Sequence, residues 1–152
     1  MAKTSAGILL YRRWNHALEV VLVHPGGPFF VTKDAGAWSI PKGEYESGED
    51  PLSAALREFH EEIGCGPGSG EPRYLGQVKQ ASGKIVSAWA IEGDCDVNAI
   101  HSNLFSLEWP PRSGKMKEFP EVDRAGWFTL DAARQKMNPA QCAFLDRLVE
   151  RV

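Results

Sequence analysis

Three glutamates, Glu58, Glu61 and Glu62, stand close enough in the sequence to act together on one cation. On a helix, at roughly 100° per residue, Glu62 and Glu61 lie about 40° and about 60° to either side of Glu58, so the carboxylates share one stripe. Like charges at this spacing repel one another. Arg57 can offset part of the repulsion, and a hard divalent cation can offset the rest because it prefers oxygen ligands. The alternative interpretation is a solvated, charged helix face.

A helix from Asp50 to Gly64 is predicted to position these acids. Asp50 suits the N-cap, Pro51 suits the first helical position, and Gly64 suits the end of the helix. The apolar face of this helix consists of Leu52, Leu56, Phe59 and Ile63. Because this face borders the acidic stripe, the carboxylates are expected at the edge of the core, where a cleft could form.

The segments around this helix indicate an α+β or mixed α/β sandwich, with helices covering a sheet, in a single domain over residues 1–152. Short apolar runs bounded by turns predict the strands. The predicted strands are Ala6–Tyr11, Leu18–His24, Trp38–Ile40, Tyr74–Gln80, Ile85–Glu92, Leu104–Glu108 and Ala125–Phe128. Helices are predicted over Leu130–Lys136 and Pro139–Val152, and Pro110–Pro120 is predicted to be a mobile loop.

Composition and charge narrow the classes of partner. The formal net charge of −3 gives no support for a basic nucleic-acid-binding face, so no nucleic acid polymer is expected as a partner. No apolar stretch approaches the roughly 20 residues of a membrane helix, and no signal-peptide core is recognised, so no membrane partner is expected. Three widely spaced cysteines without a CxxC pair predict reduced thiols and a cytoplasmic protein; they are Cys65, Cys95 and Cys142.

The segment Gly43–Cys65 reads GEYESGEDPLSAALREFHEEIGC. It resembles the signature of the Nudix hydrolase family, GX5EX7REUXEEXGU, in which U is a bulky apolar residue. Every fixed position matches, and the only departure is Cys65 at the last apolar position. Cysteine is a small hydrophobic residue, so this departure concerns packing and leaves the acids unchanged. The resemblance implies a Nudix-type α/β/α sandwich with a mixed β-sheet between helices.

The resemblance also implies roles for the matching residues. The carboxylates of Glu58, Glu61 and Glu62 are expected to bind Mg²⁺ or Mn²⁺, together with the carbonyl group of Gly43. Arg57 is expected to orient a glutamate through a charge-assisted hydrogen bond. The remaining acid of the signature, Glu49, is expected to support the ligands rather than to bind the metal directly.

Residues outside the signature complete the predicted site. Nudix hydrolases usually take one more acid from a loop, and the candidates here are Glu118, which we favour, and Glu121. Lys42 is expected to approach a phosphate oxygen, as is Lys79 beside a predicted hairpin turn, whereas Lys84 on the other side of that turn is interpreted first as an exposed, solvated lysine. Tyr45, Trp89 and Phe29 are candidates for stacking on a base, although Trp89 is interpreted first as a core residue, and no residue in the sequence fixes which base is recognised.

The sequence WSIPKG at Trp38–Gly43 resembles the segment that precedes the signature in Nudix members acting on diadenosine polyphosphates or on oxidised nucleoside triphosphates. The leading hypothesis is therefore metal-dependent hydrolysis of a diphosphate linkage in a small nucleotide, first of all a diadenosine polyphosphate. The same chemistry on an oxidised nucleoside triphosphate or on ADP-ribose is an alternative. A non-catalytic nucleotide sensor is a third, although a sensor does not need a full set of metal-binding acids.

Overall fold

A computed structural model describes residues 3–68 and 70–152. The strands are β1 (Thr4–Trp14), β2 (Ala17–Pro25), β3 (Lys42–Glu44), β4 (Arg73–Lys79), β5 (Ile85–Glu92), β6 (Leu104–Glu108), β7 (Met116–Pro120) and β8 (Val122–Thr129). The α-helices are α1 (Pro51–Ile63), α2 (Leu130–Lys136) and α3 (Cys142–Arg151), and single 3₁₀ turns span Val97–Ala99 and Pro139–Gln141. Within the described residues, no helix has the length and apolar character that crossing a membrane requires.

Strand β1 lies at the centre of a mixed six-stranded sheet. One edge of β1 pairs with β5 in parallel, and the sheet continues to β4. The other edge is shared, because Ser5–Gly7 pair with β3 and Tyr11–Trp14 pair with β2, both antiparallel. Strand β8 extends the sheet beyond β2. The sheet therefore divides next to the middle of β1, between β2 and β3, and this division provides room for a cleft.

Alternation along β1 builds two cores, one on each face of the sheet. On one face, Ile8 and Leu10 pack with Phe59 and Ile63 of α1, and all four are buried. On the other face, the core includes Leu9, Tyr11, Leu22, Ala133, Phe144, Leu145 and Leu148. Helix α1 thus covers one face and helices α2 and α3 cover the other. The predicted α/β/α sandwich with a mixed sheet is confirmed.

Helix α1 begins and ends as its sequence predicts. The side chain of Asp50 accepts a hydrogen bond from the Ser53 backbone N–H at 3.0 Å, and Pro51 is the first helical residue. Gly64 ends the helix with a left-handed conformation, and its N–H donates to the His60 carbonyl at 2.8 Å. Phe59 is fully buried, so a change to alanine is expected to cost about 3–5 kcal/mol of stability.

Two local predictions are wrong. Met116–Pro120 is strand β7, which pairs with β6, whereas the whole of Pro110–Pro120 was expected to be a loop. Trp38–Ile40 forms only isolated bridges, and the short strand of this region is β3, a few residues later. In both cases the pairing partner decides the conformation, and a local apolar pattern does not reveal that partner.

The prediction of three reduced cysteines is also wrong. Cys65 and Cys95 form a disulfide, and Cys142 is free. Cys65 follows the end of α1, and Cys95 follows β5, which lies beside β1 in the sheet. Packing of α1 on this sheet brings the two cysteines together although 30 positions separate them in sequence. The prediction of a reducing compartment was based on three reduced thiols, and the disulfide removes that basis.

Candidate functional site

Helix α1 presents two of its glutamates to strand β3. Glu62 is buried, and its Oε2 accepts a hydrogen bond from the Lys42 backbone N–H at 3.2 Å. Glu58 lies one turn earlier, with its side chain 15% exposed. Because Phe59 and Ile63 anchor the helix on the core, the neighbouring acidic stripe is held at the division in the sheet.

Gly43 makes room for the carboxylate of Glu58. A Cβ atom at position 43 would lie 2.1 Å from Glu58 Cδ and 2.2 Å from Glu58 Oε2, so any larger residue there would displace the Glu58 carboxylate from its present place. The glycine at the start of the signature therefore has a steric reason here. It allows strand β3 and the acidic stripe of α1 to approach closely.

Burial and mutual repulsion destabilise the charged forms of these acids. Burial, opposed in part by Lys42 and reinforced by Glu58, raises the pKa of Glu62 to about 8. Burial also raises the pKa of Glu58, although its hydrogen bond from Arg57 acts in the opposite direction. At the rim of the site, partial burial and the nearby Glu61 raise the pKa of Glu121. A bound cation would relieve this strain on all of them.

Arg57 connects the acids on the outer side of the helix. Its guanidinium donates hydrogen bonds to Glu49 and, at 3.3 Å, to Glu58 Oε1. Its Nε lies 3.8 Å from Glu61 Oε1, which is one turn further along the helix. The Glu49 side chain therefore contacts Arg57. Glu61 is the most exposed of the three predicted metal ligands, with 39% of its side chain accessible.

The acids open into a polar cavity of about 360 Å³, which we call the carboxylate cavity. It is lined by Ser5, Lys42, Gly43, Glu44, Glu58, Glu62, Lys84 and Glu121. An adjoining cavity of about 180 Å³ shares Lys42, Glu62 and Glu121, and it extends over Val23 and Ile40 toward Pro25. Acids and lysines thus face the carboxylate cavity, and the adjoining cavity adds the apolar side chains of Val23 and Ile40.

Two lysines bring positive charge to the carboxylate cavity. Burial lowers the pKa of Lys42, and the nearby ammonium group of Lys84 lowers it further. Lys84 also lies 4.0 Å from Glu44. Two ammonium groups close enough to repel each other favour an anion between them, because an anion offsets their repulsion.

Ser5 is a third polar group in the same cavity. Its hydroxyl oxygen is buried, and it is the one buried side-chain polar atom in the described part of the chain that has no hydrogen-bond partner. A buried hydroxyl without a partner costs free energy. A polar ligand in the carboxylate cavity would supply the missing partner.

The structure places Glu121, and not the favoured Glu118, at the cavity. In the ribbon of β6 and β7, Glu118 pairs with Ser106, and the backbone N–H of Glu121 donates to the Asn103 carbonyl at 2.8 Å. Glu121 lies between β7 and β8, just beyond the end of β7, and it lines both cavities. Glu118 is exposed and lines neither cavity. In the sequence, Glu118 lies next to the apolar Phe119 and two positions from Met116. This alternation could have indicated that Met116 and Glu118 share the exposed side of a strand.

Two other candidates for substrate binding also lie away from the cavities. Lys79 is exposed on the edge strand β4, which β5 and β1 separate from β3. Lys84 takes the expected place because it precedes β5, next to β1. Tyr45 is partly buried and packs against the core beneath α1. Neither Lys79 nor Tyr45 lines the carboxylate cavity, so their predicted contacts with substrate have no support in the geometry.

The donor set fits a hard divalent cation in its chemistry. The candidate ligands are oxygen atoms only, they are partly buried, and the fit of Gly43 against Glu58 leaves the acids close to the strand backbone. Across residues 3–68 and 70–152, no three acidic, histidine or cysteine side chains already converge as a closed metal-binding group. Arg57 holds two of the acids instead. The residues are of the right kind, and their side chains must adjust when a cation binds.

Comparisons with known proteins agree with this architecture. An RNA pyrophosphohydrolase of Roseobacter denitrificans is 43% identical over 58 residues, which cover 36% of this chain and 36% of that protein. The pig bis(5′-nucleosyl)-tetraphosphatase (asymmetrical) is 31% identical over 103 residues, covering 60% of this chain and 66% of that protein. The first of these matches spans only about a third of its relative's length.

Structural similarity extends over nearly the whole chain. A crystal structure of a C. elegans Ap4A hydrolase binary complex superposes with a TM-score of 0.69 at 19% identity, covering 97% of this chain and 96% of that one. At this identity the similarity concerns the fold alone. The family model of the NUDIX domain matches residues 1–148. The chain therefore belongs to the Nudix family.

Proposed function

We propose that this chain is a divalent-metal-dependent hydrolase that cleaves a diphosphate linkage in a nucleoside polyphosphate, with a diadenosine polyphosphate as the leading substrate. The carboxylate cavity carries the proposal, because Glu58, Glu62 and Glu121 face Lys42 and Lys84 across one space. Acids suit a metal ion and lysines suit phosphate oxygens, so this cavity suits a metal-bound polyphosphate. The name of the pig relative supports the substrate class.

Each group in the cavity has a proposed task. Glu58, Glu61, Glu62 and the Gly43 carbonyl would hold Mg²⁺ or Mn²⁺, which supplies charge neutralisation and a more acidic water when bound. Arg57, itself held by Glu49, contacts Glu58 and Glu61 and would orient their carboxylates before a cation binds.

The substrate is held by the opposite wall of the cavity. Lys42 and Lys84 neutralise non-bridging phosphate oxygens, and the Ser5 hydroxyl donates its free hydrogen bond to one of them. Glu121 serves as the additional acid, either as a metal ligand or as the acceptor of the proton of the attacking water. The water oxygen forms a bond to phosphorus, the bridging P–O bond breaks, and the leaving phosphate takes the electron pair.

The test is a substrate panel with product analysis. It includes diadenosine polyphosphates, canonical and oxidised nucleoside triphosphates, ADP-ribose and diphosphoinositols, each with Mg²⁺, with Mn²⁺ and with EDTA. We expect hydrolysis of a diadenosine polyphosphate that depends on the metal and stops in EDTA. Turnover that persists in EDTA, or no turnover of any compound, contradicts the proposal. Preference for an oxidised triphosphate or ADP-ribose keeps the chemistry and replaces the substrate.

A further inference from the structure

The pairing of β2 with β8 contains one extra residue on the β8 side. The pairs run one to one as far as His24 opposite Arg124, and the next pair joins Pro25 to Val122. Asp123 is therefore left without a partner in β2, which makes it the extra residue of a β-bulge. An extra residue of this kind turns the side chains that lie beyond it to the other side of the sheet.

The packing of β8 shows this reversal directly. Ala125 packs in the core beneath α1, so regular alternation would place Asp123 on the same side and Val122 on the other. The structure has the opposite arrangement. Val122 packs in the core beneath α1, and the Asp123 side chain reaches His24, whose ring packs against Trp38 in the core on the other face.

The imidazole of His24 holds Asp123 in this position. Its Nδ1 lies 2.9 Å from Asp123 Oδ1, and its Nε2 lies 2.6 Å from the carbonyl oxygen of Lys33. Both partners accept hydrogen bonds, so both ring nitrogens donate. The His24 ring is fully buried and meets the Trp38 ring with centroids 5.2 Å apart. Turning the ring away from Asp123 would leave a buried polar group without a partner, which costs free energy.

The bulge fixes the point at which the chain leaves the sheet for the carboxylate cavity. Val122 and its neighbour Glu121 line the adjoining cavity, and Glu121 also lines the carboxylate cavity. Beyond the bulge, the Gly26 N–H donates to the Glu121 carbonyl at 3.0 Å. Without the extra residue, Val122 would lie opposite Gly26, and Glu121 would be displaced by one position, or about 3.4 Å along the strand.

We propose that His24 and Asp123 are positioning residues for Glu121, because their hydrogen bond fixes the bulge that places this acid at the carboxylate cavity. This inference rests on the proposed function and names two further residues on which the same site depends. Neither side chain lines either cavity, so both act through the backbone that joins Asp123 to Glu121. Bulges next to active sites commonly direct a side chain in this way.

The kinetic test is a double-variant cycle. Asp123→Ala removes the hydrogen bond at a side chain that is 32% exposed, so the fold is expected to be retained. We expect kcat to fall by about three- to tenfold with KM within about twofold, because Glu121 is present and misplaced. Adding Glu121→Gln should give a double variant within about twofold of Glu121→Gln alone, since Asp123 acts only through that acid. Asp146→Ala, which also removes an ion-paired surface aspartate, is the matched control and should keep wild-type kinetics.

Two substitutions of His24 separate its two hydrogen bonds. The side-chain amide nitrogen of asparagine takes the place of Nδ1, and that of glutamine takes the place of Nε2. His24→Asn keeps the donor to Asp123 and should therefore retain most of kcat. His24→Gln keeps only the donor to Lys33 and should resemble Asp123→Ala. Both remove a buried ring, so a purely structural role of His24 would lower stability in both and would not separate their kcat values.

Amide hydrogen exchange at Gly26 reports on the bulge without any turnover. In Asp123→Ala we expect this amide to exchange at least about tenfold faster than in the wild type, because its bond to the Glu121 carbonyl is no longer held in place. Asp146→Ala should exchange at the wild-type rate.

Three results overturn the inference: additive losses of kcat in the double variant, equal kcat in His24→Asn and His24→Gln, or unchanged exchange at Gly26 in Asp123→Ala. If the wild type hydrolyses no compound of the panel and exchange at Gly26 responds as expected, the proposed function fails, and the placement of Glu121 by the bulge stands.

Discussion

Helix α1 contributes two acids to the carboxylate cavity and the segment from β7 to β8 contributes one, and different features of the fold position them. Glu58 and Glu62 are one helical turn apart, so their common direction follows from local geometry. Glu121 reaches the cavity only because β7 pairs with β6 in one particular register. A contiguous helix therefore reveals its functional side chains by spacing, and a strand reveals them only when its register is known.

The largest effect is expected in the helix. Glu62→Gln should lower turnover by at least about a hundredfold, because it removes a proposed metal ligand at the centre of the cavity. The same change should leave thermal stability unchanged or raise it, since burying a charged carboxylate costs free energy. Steady-state kinetics and thermal unfolding measure the two quantities. Glu46→Gln, at an exposed position of the preceding loop, is the control.

The contribution of the β7–β8 segment is tested by its two acids. Glu121→Gln should lower kcat by about tenfold or more, as expected when a metal ligand or proton acceptor is lost. Glu118→Gln should stay within about twofold of the wild type, because this side chain is exposed and lines neither cavity. Kinetics on matched preparations separates the two variants. A larger loss in Glu118→Gln than in Glu121→Gln would mean that Glu118, and not Glu121, acts in the carboxylate cavity.

A smaller effect is expected for the lysines of the β4–β5 hairpin. Lys84→Gln should raise KM about tenfold with little change in kcat, because a charged hydrogen bond to phosphate is lost. Lys79→Gln should be silent, because Lys79 is exposed on the edge strand. The measurement is KM for the best substrate of the panel. Equal KM values for the two variants would show that Lys84 does not bind the substrate.

The smallest effect on turnover is expected at the disulfide. Replacing Cys65 and Cys95 together by serine should lower the free energy of unfolding by about 3–4 kcal/mol, because the bond closes a loop of about 30 residues. Turnover should stay within about twofold, since neither cysteine lines a cavity. Urea unfolding measures the stability, and Cys142→Ser is the control for a free thiol. Unchanged stability in the double variant would argue against the bond.

The sequence predicted what depends on local spacing. The capping of α1 by Asp50 and Gly64 and its apolar face follow from patterns within one segment, and the α/β/α architecture was implied by the family resemblance. Where the pattern depends on a distant partner, the prediction failed. Strand β7 looked like a loop, and the preference for Glu118 and Lys79 over Glu121 and Lys84 ignored strand register and sheet order. The pairing of Cys65 with Cys95 likewise requires the packing of α1 on the sheet.

The central claim, that α1 aims its acids at a cation beside strand β3, is tested most directly by anomalous diffraction from crystals grown with Mn²⁺. We expect one strong peak in the carboxylate cavity, about 2–2.5 Å from oxygen atoms of Glu58 and Glu62, with the Glu58 side chain released from Arg57 where necessary. A cavity without a peak at saturating Mn²⁺, or an ion bound away from both glutamates, would contradict the account.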